Sequence, residues 1–292
     1  MTPQPRYLAT HRRGELKPRI AAALAALGQC RLCPRRCGVN RLAGETGRCN
    51  TGRLAVLASS GPHFGEEAPL VGRSGSGTLF FTHCNLGCCF CQNDDISHGG
   101  CGVEIGAAEL ADRMLDLQAR GCHNINLVTP THVTAQILEG LPLAIEQGLR
   151  LPLVYNCSGY ERVKTLELLD GVVDIYMPDF KFWDPEIADQ TCQARDYPAV
   201  ARRAVLEMQR QVGDLTLDGD GLALTGLLVR HLVLPEGAAG SDGILAFIAE
   251  KISPDTYVNV MDQYRPCARA SRVPALKRRI TPEECSQALA AA

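Results

Sequence analysis

From about residue 78 the chain alternates short apolar runs with stretches of helical period. The runs at 78–83, 124–128, 151–155, 172–177, 227–234 and 256–261 are short and largely apolar, which predicts strands. Between them, 104–120, 133–147, 162–169, 198–212 and 242–252 carry apolar residues at helical spacing. Alternation of this kind predicts a parallel sheet with helices outside it. Six units are too few to close an eightfold barrel. The expected fold is therefore α/β, a partial open (β/α)6 barrel. Ligands of such sheets lie at the C-terminal strand ends.

Residues 1–75 do not alternate in this way. They are rich in Gly, Arg and Cys and read as a small separate module. Gly72-Arg73-Ser74-Gly75-Ser76-Gly77 marks the join to a core at 76–266; without a P-loop lysine or a following helix it is a turn rather than a phosphate cradle. Residues 267–292 form a tail in which Thr281-Pro282-Glu283-Glu284 has the form of a capped helix start.

Charge and length narrow the function classes. The net charge of -2 over 292 residues gives no electrostatic case for nucleic acid. No apolar run approaches 18 residues, so no membrane span is expected. The apolar stretch 21–27 lacks a cleavage pattern. A cytoplasmic location is expected.

Fourteen cysteines are many for such a chain and suggest metal. Eight fall in two clusters. Cys84, Cys88 and Cys91 have the spacing C-x3-C-x2-C, which can hold three irons of a [4Fe–4S] cluster and leave the fourth open to a ligand. Cys89 offers an alternative C-x4-C-x1-C spacing, with a strained one-residue step. Zinc would want a second pair nearby, and none follows. Cys30, Cys33, Cys37 and Cys49 form a second set, C-x2-C-x3-C-x11-C. Four thiolates suit structural zinc or a second cluster, and the spacing does not choose between them. Arg31, Arg35 and Arg36 are placed to offset a thiolate-rich site.

The string Cys84-Asn85-Leu86-Gly87-Cys88-Cys89-Phe90-Cys91 resembles the signature of the radical S-adenosylmethionine (radical SAM) superfamily. The resemblance implies that the open iron chelates the amino and carboxylate groups of SAM, and that an electron cleaves SAM to methionine and a 5′-deoxyadenosyl radical. A zwitterion with ribose and adenine needs both charge signs and amide-like groups around it. The strand ends supply them in Thr129-Pro130-Thr131-His132, Asn156-Cys157-Ser158, Asp179-Phe180-Lys181 and Arg230-His231. Arg230 lies in an apolar strand, where an unpaired charge is costly. His83 and His231 read as packing residues, and His132 stays open between a helix-start residue and a ligand-facing one.

Longer strings narrow the resemblance. Asn124-Ile125-Asn126-Leu127-Val128-Thr129-Pro130-Thr131-His132, Tyr155-Asn156-Cys157-Ser158-Gly159-Tyr160-Glu161, Val173-Asp174-Ile175-Tyr176-Met177-Pro178-Asp179-Phe180-Lys181 and Val229-Arg230-His231-Leu232-Val233-Leu234-Pro235 are similar to the PflX-type family, radical SAM proteins named after pyruvate formate-lyase activating enzymes. By that resemblance Thr129 and Thr131 stand where activases place a Gly-Gly-Glu turn for the SAM amino group. Lys181 and Arg230 match SAM-contacting positions. Asn156, Cys157, Met177 and Asp179 fall where activases resemble a cation site, with Asn156 in place of a carboxylate. The implied activity is hydrogen abstraction, from a glycine of a partner glycyl-radical enzyme or from a small molecule or peptide, with flavodoxin or ferredoxin as electron donor. A non-catalytic iron–sulfur electron carrier is the competing class.

Overall fold

The computed structural model describes residues 4–292. Nine strands form one sheet: β1 Ala55–His63, β2 Ser76–Phe81, β3 Val103–Ile105, β4 Ile125–Val128, β5 Leu153–Cys157, β6 Ile175–Pro178, β7 Thr216–Leu217, β8 Ala223–Leu232 and β9 Tyr257–Met261. Their order is β3-β1-β2-β4-β5-β6-β8-β7, with β9 also pairing β8. β2, β4, β5, β6, β8 and β9 run parallel, which is the expected α/β partial barrel of six parallel strands. β8 changes partner along its length. Gly226 and Leu227 pair with β6, and residues 228–232 pair with β9.

The central strands are buried along their whole length, so they are continuous apolar runs rather than alternating ones. Helices cover the outside. In Ala107–Ala119 the residues Leu110, Met114 and Leu117 recur on one face and are fully buried. Each contributes about 1.5–3 kcal/mol against exposure. The helix expected over 162–169 is an α-turn, Val163–Leu166, continued by a 3-10 turn, and the one expected over 242–252 ends in a π-turn.

Residues 1–75 are divided differently from the module read in the sequence. Helix Arg6–Arg12 is tied to the N-terminal strand ends, through Arg6 N–H to Asp174 at 2.7 Å and the Tyr7 hydroxyl to the Leu151 carbonyl at 2.9 Å. A second helix, Leu16–Ala25, follows, then the largely irregular cysteine-bearing segment 30–49 with its 3-10 turn Arg41–Ala43, and β1 enters the sheet antiparallel to β2. Polar residues and Pro62 hide β1 in the sequence. β3 pairs only with residues 55–57, so Pro62 lies where β1 is an edge and its missing N–H costs no ladder bond there. The segment after 266 also joins the core: Val273 and Leu276 are buried, and the Arg269 N–H bonds the Cys89 carbonyl at 2.7 Å.

Candidate functional site

The loop after β2 carries the first cysteine set at the C-terminal end of the parallel strands. His83 turns the chain with φ +64° and Gly87 with φ +71°. Two donors are aimed at the sulfurs: the Leu86 N–H lies 3.4 Å from Cys84 Sγ, and the Ser97 hydroxyl 3.0 Å from Cys91 Sγ. Phe90 is buried edge-on against Phe182 and Tyr264 and anchors the loop. Cys84, Cys88 and Cys91 all line one cavity of about 420 Å³, the size of a cofactor pocket. Cys89 lines a different cavity, on the Arg269 side of the loop.

The donor set fits an iron–sulfur cluster. Burial pushes the Cys84 thiol up to about 12 and raises Cys91. Cys88 rises well above its ordinary value because the Cys192 side chain hydrogen-bonds it and because it is buried. Without a metal these groups are neutral, and a coordinated thiol is deprotonated outright. Three thiolates facing one cavity are the ligand number of a cluster that leaves its fourth iron open.

Strand ends β4, β5, β6 and β8 bring most of the expected residues to this cavity. Thr129 lines it, held at φ +59° with its N–H on the Asn156 carbonyl. That conformation is an outlier for a β-branched residue. Asn156, Cys157 and Asp179 line it too. Lys181 Nζ lies 2.5 Å from Asp179 Oδ2. Burial alone would lower the Lys181 pKa, but Asp179 and Cys88 hold it raised. Gly159, at φ +73°, permits the close crossing of the loop after β5, since a Cβ there would stand 2.3 Å from the Asp179 carbonyl oxygen.

Other expected residues stand elsewhere or are already engaged. Thr131 is buried and donates to Glu161, away from the cavity lining. Met177 packs with Leu70, Val154 and Leu228 in a separate apolar cluster. Arg230 lines the cavity, but its guanidinium is bound by two glutamates: Nε to Glu67 Oε1 at 2.7 Å, Nη2 to Glu67 Oε2 at 2.6 Å, and Nη2 to Glu66. Burial opposes ionisation of both partners, yet Glu67 stays below its usual value and Arg230 above its own, because each faces the other. His231 is a core histidine between the Phe180 carbonyl and Ser241, both at 2.8 Å.

Several site residues were not legible in the sequence. Glu66 and Glu67 precede the short helix Ala68–Val71 and reach the cavity because β1 folds back antiparallel. The signal available was a charged Arg230 in an apolar strand, which demanded an anion. Asn259 on β9 donates to Glu67 Oε1 at 2.7 Å. The Tyr197 hydroxyl accepts the Lys181 N–H at 2.9 Å and so fixes the Asp179–Lys181 turn. Cys192, scattered in the sequence, ends helix Pro185–Cys192 beside Cys88.

The second cysteine set lies close behind. Cys30, Cys33, Cys37 and Cys49 line one enclosed cavity with Arg41 and His132. His132 Nε2 faces the Thr82 carbonyl at 2.8 Å, and burial holds the ring neutral, its pKa lowered to about 3. Arg35, expected to offset those thiolates, reaches away from them. It donates to the Asn85, Leu86 and Cys192 carbonyls at 2.9, 2.8 and 2.7 Å and covers the Tyr160 ring at 5.2 Å. It thereby fastens the N-terminal segment to the Cys84–Cys88 loop. Cys49 lines the same cavity as Cys84 and Cys89 as well as its own.

No family model matches the chain. A radical SAM methyltransferase from Sphaerobacter thermophilus, a solved structure, is similar over 73% of this chain and 62% of its own, less than two thirds of its length, with 16% identity and a TM-score of 0.49. Over 286 residues the chain is 32% identical to the uncharacterized protein MJ0674 of Methanocaldococcus jannaschii, an alignment covering 94% of this chain and 77% of that protein. At that identity and coverage, the chain belongs to the MJ0674 family.

Proposed function

We propose that this protein is a radical SAM enzyme. The observation that carries the reading is the shared cavity: Cys84, Cys88 and Cys91 line it together with Asn156, Asp179 and Lys181 from the strand ends that follow. The chemistry supplied by a [4Fe–4S] cluster bound to these thiolates is one-electron reduction of the SAM sulfonium, which splits SAM into methionine and a 5′-deoxyadenosyl radical able to take a hydrogen atom. The chain's own residues bind and orient. The Lys181 ammonium, neutralised on one side by Asp179, presents its remaining N–H donors to an anionic or hydroxyl group. Asn156 offers an amide to adenine or ribose. Arg230, bound by Glu66 and Glu67, braces the wall rather than standing as a free cation.

The test is anaerobic reconstitution with iron and sulfide, then dithionite and SAM, with 5′-deoxyadenosine followed by chromatography. Product that disappears in Cys88→Ala supports the reading. A reducible cluster that neither binds nor cleaves SAM overturns it in favour of the electron carrier. The narrower reading, hydrogen abstraction from a glycine of a partner enzyme, rests on the strand-end motifs alone. It predicts a glycyl radical signal by electron paramagnetic resonance when a glycyl-radical enzyme is mixed with the loaded protein and SAM.

A further inference from the structure

The Cys84–Cys91 loop separates two cavities. Cys88, Phe90 and Cys91 line the one described above, Cys89 lines the other, and Cys84 lines both. The second cavity has a volume of about 450 Å³. Distant stretches of chain bring three arginines to it: Arg48 from the N-terminal cysteine segment, and Arg269 and Arg272 from the segment after β9. All three are exposed, and none makes an ion pair among the described residues. Among the described residues no aspartate or glutamate lines this cavity. Asp94 faces the lining residue His98 at 2.7 Å. Burial, and then the nearby Arg35 and Arg269, lower the Arg48 pKa, as crowded cations do. Like charges gathered without a counter-charge raise a positive potential that favours an anionic partner. Exposed charges at a rim chiefly steer and orient a protein partner.

We infer that the face formed by Arg48, Arg269 and Arg272 docks a small acidic electron-donor protein, which meets the Cys84 loop from the side away from the SAM cavity. The inference rests on the radical SAM reading. Its sign follows from the unpaired arginines, and its redox character from the wall they surround. Cys84 forms part of that wall, so a donor seated on the arginines stands against a cluster ligand. The Arg269 N–H bonds the Cys89 carbonyl at 2.7 Å and so fixes the basic segment to the same loop. A donor carrying an anionic flavin hydroquinone gives one electron to the cluster and becomes the neutral semiquinone, with no atom transferred. Because the two cavities lie on opposite sides of one loop, SAM and the donor are held at the same time.

The probe is oxidised flavodoxin, an acidic flavin protein, titrated by calorimetry into the full chain with its cluster reconstituted. No turnover occurs, so docking is read apart from activity. Binding is expected at low salt and should weaken as salt is raised. Arg48→Glu, Arg269→Glu and Arg272→Glu together should weaken it about tenfold or more. The corresponding glutamine substitutions should weaken it less. Reduced flavodoxin should then drive 5′-deoxyadenosine release about tenfold more slowly in the charge-reversed protein, with dithionite-driven release unchanged. Unaltered flavodoxin affinity in that variant overturns the inference. So does loss of its dithionite-driven release, because the arginines then serve the loop itself. Inorganic pyrophosphate that binds this cavity more tightly than flavodoxin also overturns it, in favour of a small anion. If dithionite drives no release from the unmodified protein, the radical SAM reading fails, and the calorimetry still decides the docking face.

Discussion

Arg230 on β8 and Glu67, 163 residues earlier in the chain, form a two-point ion pair at 2.7 and 2.6 Å inside the cavity wall. The Glu67 side chain is only 3% exposed and that of Arg230 16%. The pair staples the antiparallel β1 return to the last parallel strands. Removing one partner of a buried pair strands the other, at about 3–5 kcal/mol. Arg230→Met strands Glu66 and Glu67 together and should destabilise the protein by that order in urea unfolding. Glu66→Gln and Glu67→Leu added to Arg230→Met should recover most of the loss, because all three charges are then gone. No recovery in the triple variant would show that the carboxylates and the guanidinium act separately.

Lys181 is expected to act on ligand affinity more than on stability. Lys181→Ala should weaken SAM binding to the reconstituted protein roughly tenfold or more, equivalent to about 1.4 kcal/mol. Titration calorimetry reads this directly. An unchanged dissociation constant would assign the Asp179–Lys181 pair to the fold alone.

Thr129 occupies a left-handed conformation that costs an L-residue about 1–2 kcal/mol. Glycine relieves that strain but adds about 0.5–1 kcal/mol of chain entropy to the unfolded state. Thr129→Gly should thus stabilise the fold by up to roughly 1 kcal/mol in denaturant. Weaker SAM binding in the same variant would reveal use of the hydroxyl. A clear loss of stability would mean that the Thr129 side chain makes contacts worth more than its strain.

Glu161 gives the fold a pH dependence of a definite sign. Burial pushes its carboxyl up from 4.5 to about 8, although bonds from Thr131, Cys157 and Tyr155 work against the rise. Between those two values the folded chain binds a proton that the unfolded chain has released. Its contribution to stability therefore falls as pH rises from about 4.5 to about 8 and is level above that. Glu161→Gln should remove this slope and leave the variant less sensitive to the change from pH 5 to pH 8, by up to a few kcal/mol. Parallel unfolding profiles for the two proteins would refute the assignment.

The expected strands β2, β4, β5, β6, β8 and β9 and the helices Ala107–Ala119, Thr134–Glu146 and Tyr197–Val212 were legible because each is long enough to carry its own period, whereas helix Pro185–Cys192 was not. The Cys84–Cys91 loop was legible because its ligand spacing is local. β1, β3 and β7 were not: one is polar and contains Pro62, and the other two are three and two residues long. Thr131 illustrates a different limit. It stands two residues from cavity-lining Thr129 yet turns into the core toward Glu161, because the 3-10 turn Thr131–Val133 rotates it off the strand-end face.

Sequence alone determined what depends on neighbours along the chain: the strand–helix alternation, the two cysteine spacings and the polar strand ends. Tertiary structure decided what depends on residues far apart. It set Glu66 and Glu67 against Arg230, turned Arg35 from its own cysteines to the carbonyls of the other loop, and left Arg41 buried among the thiols. The reason is electrostatic. A buried charge must find its partner wherever the fold supplies one, and no local pattern states where that will be.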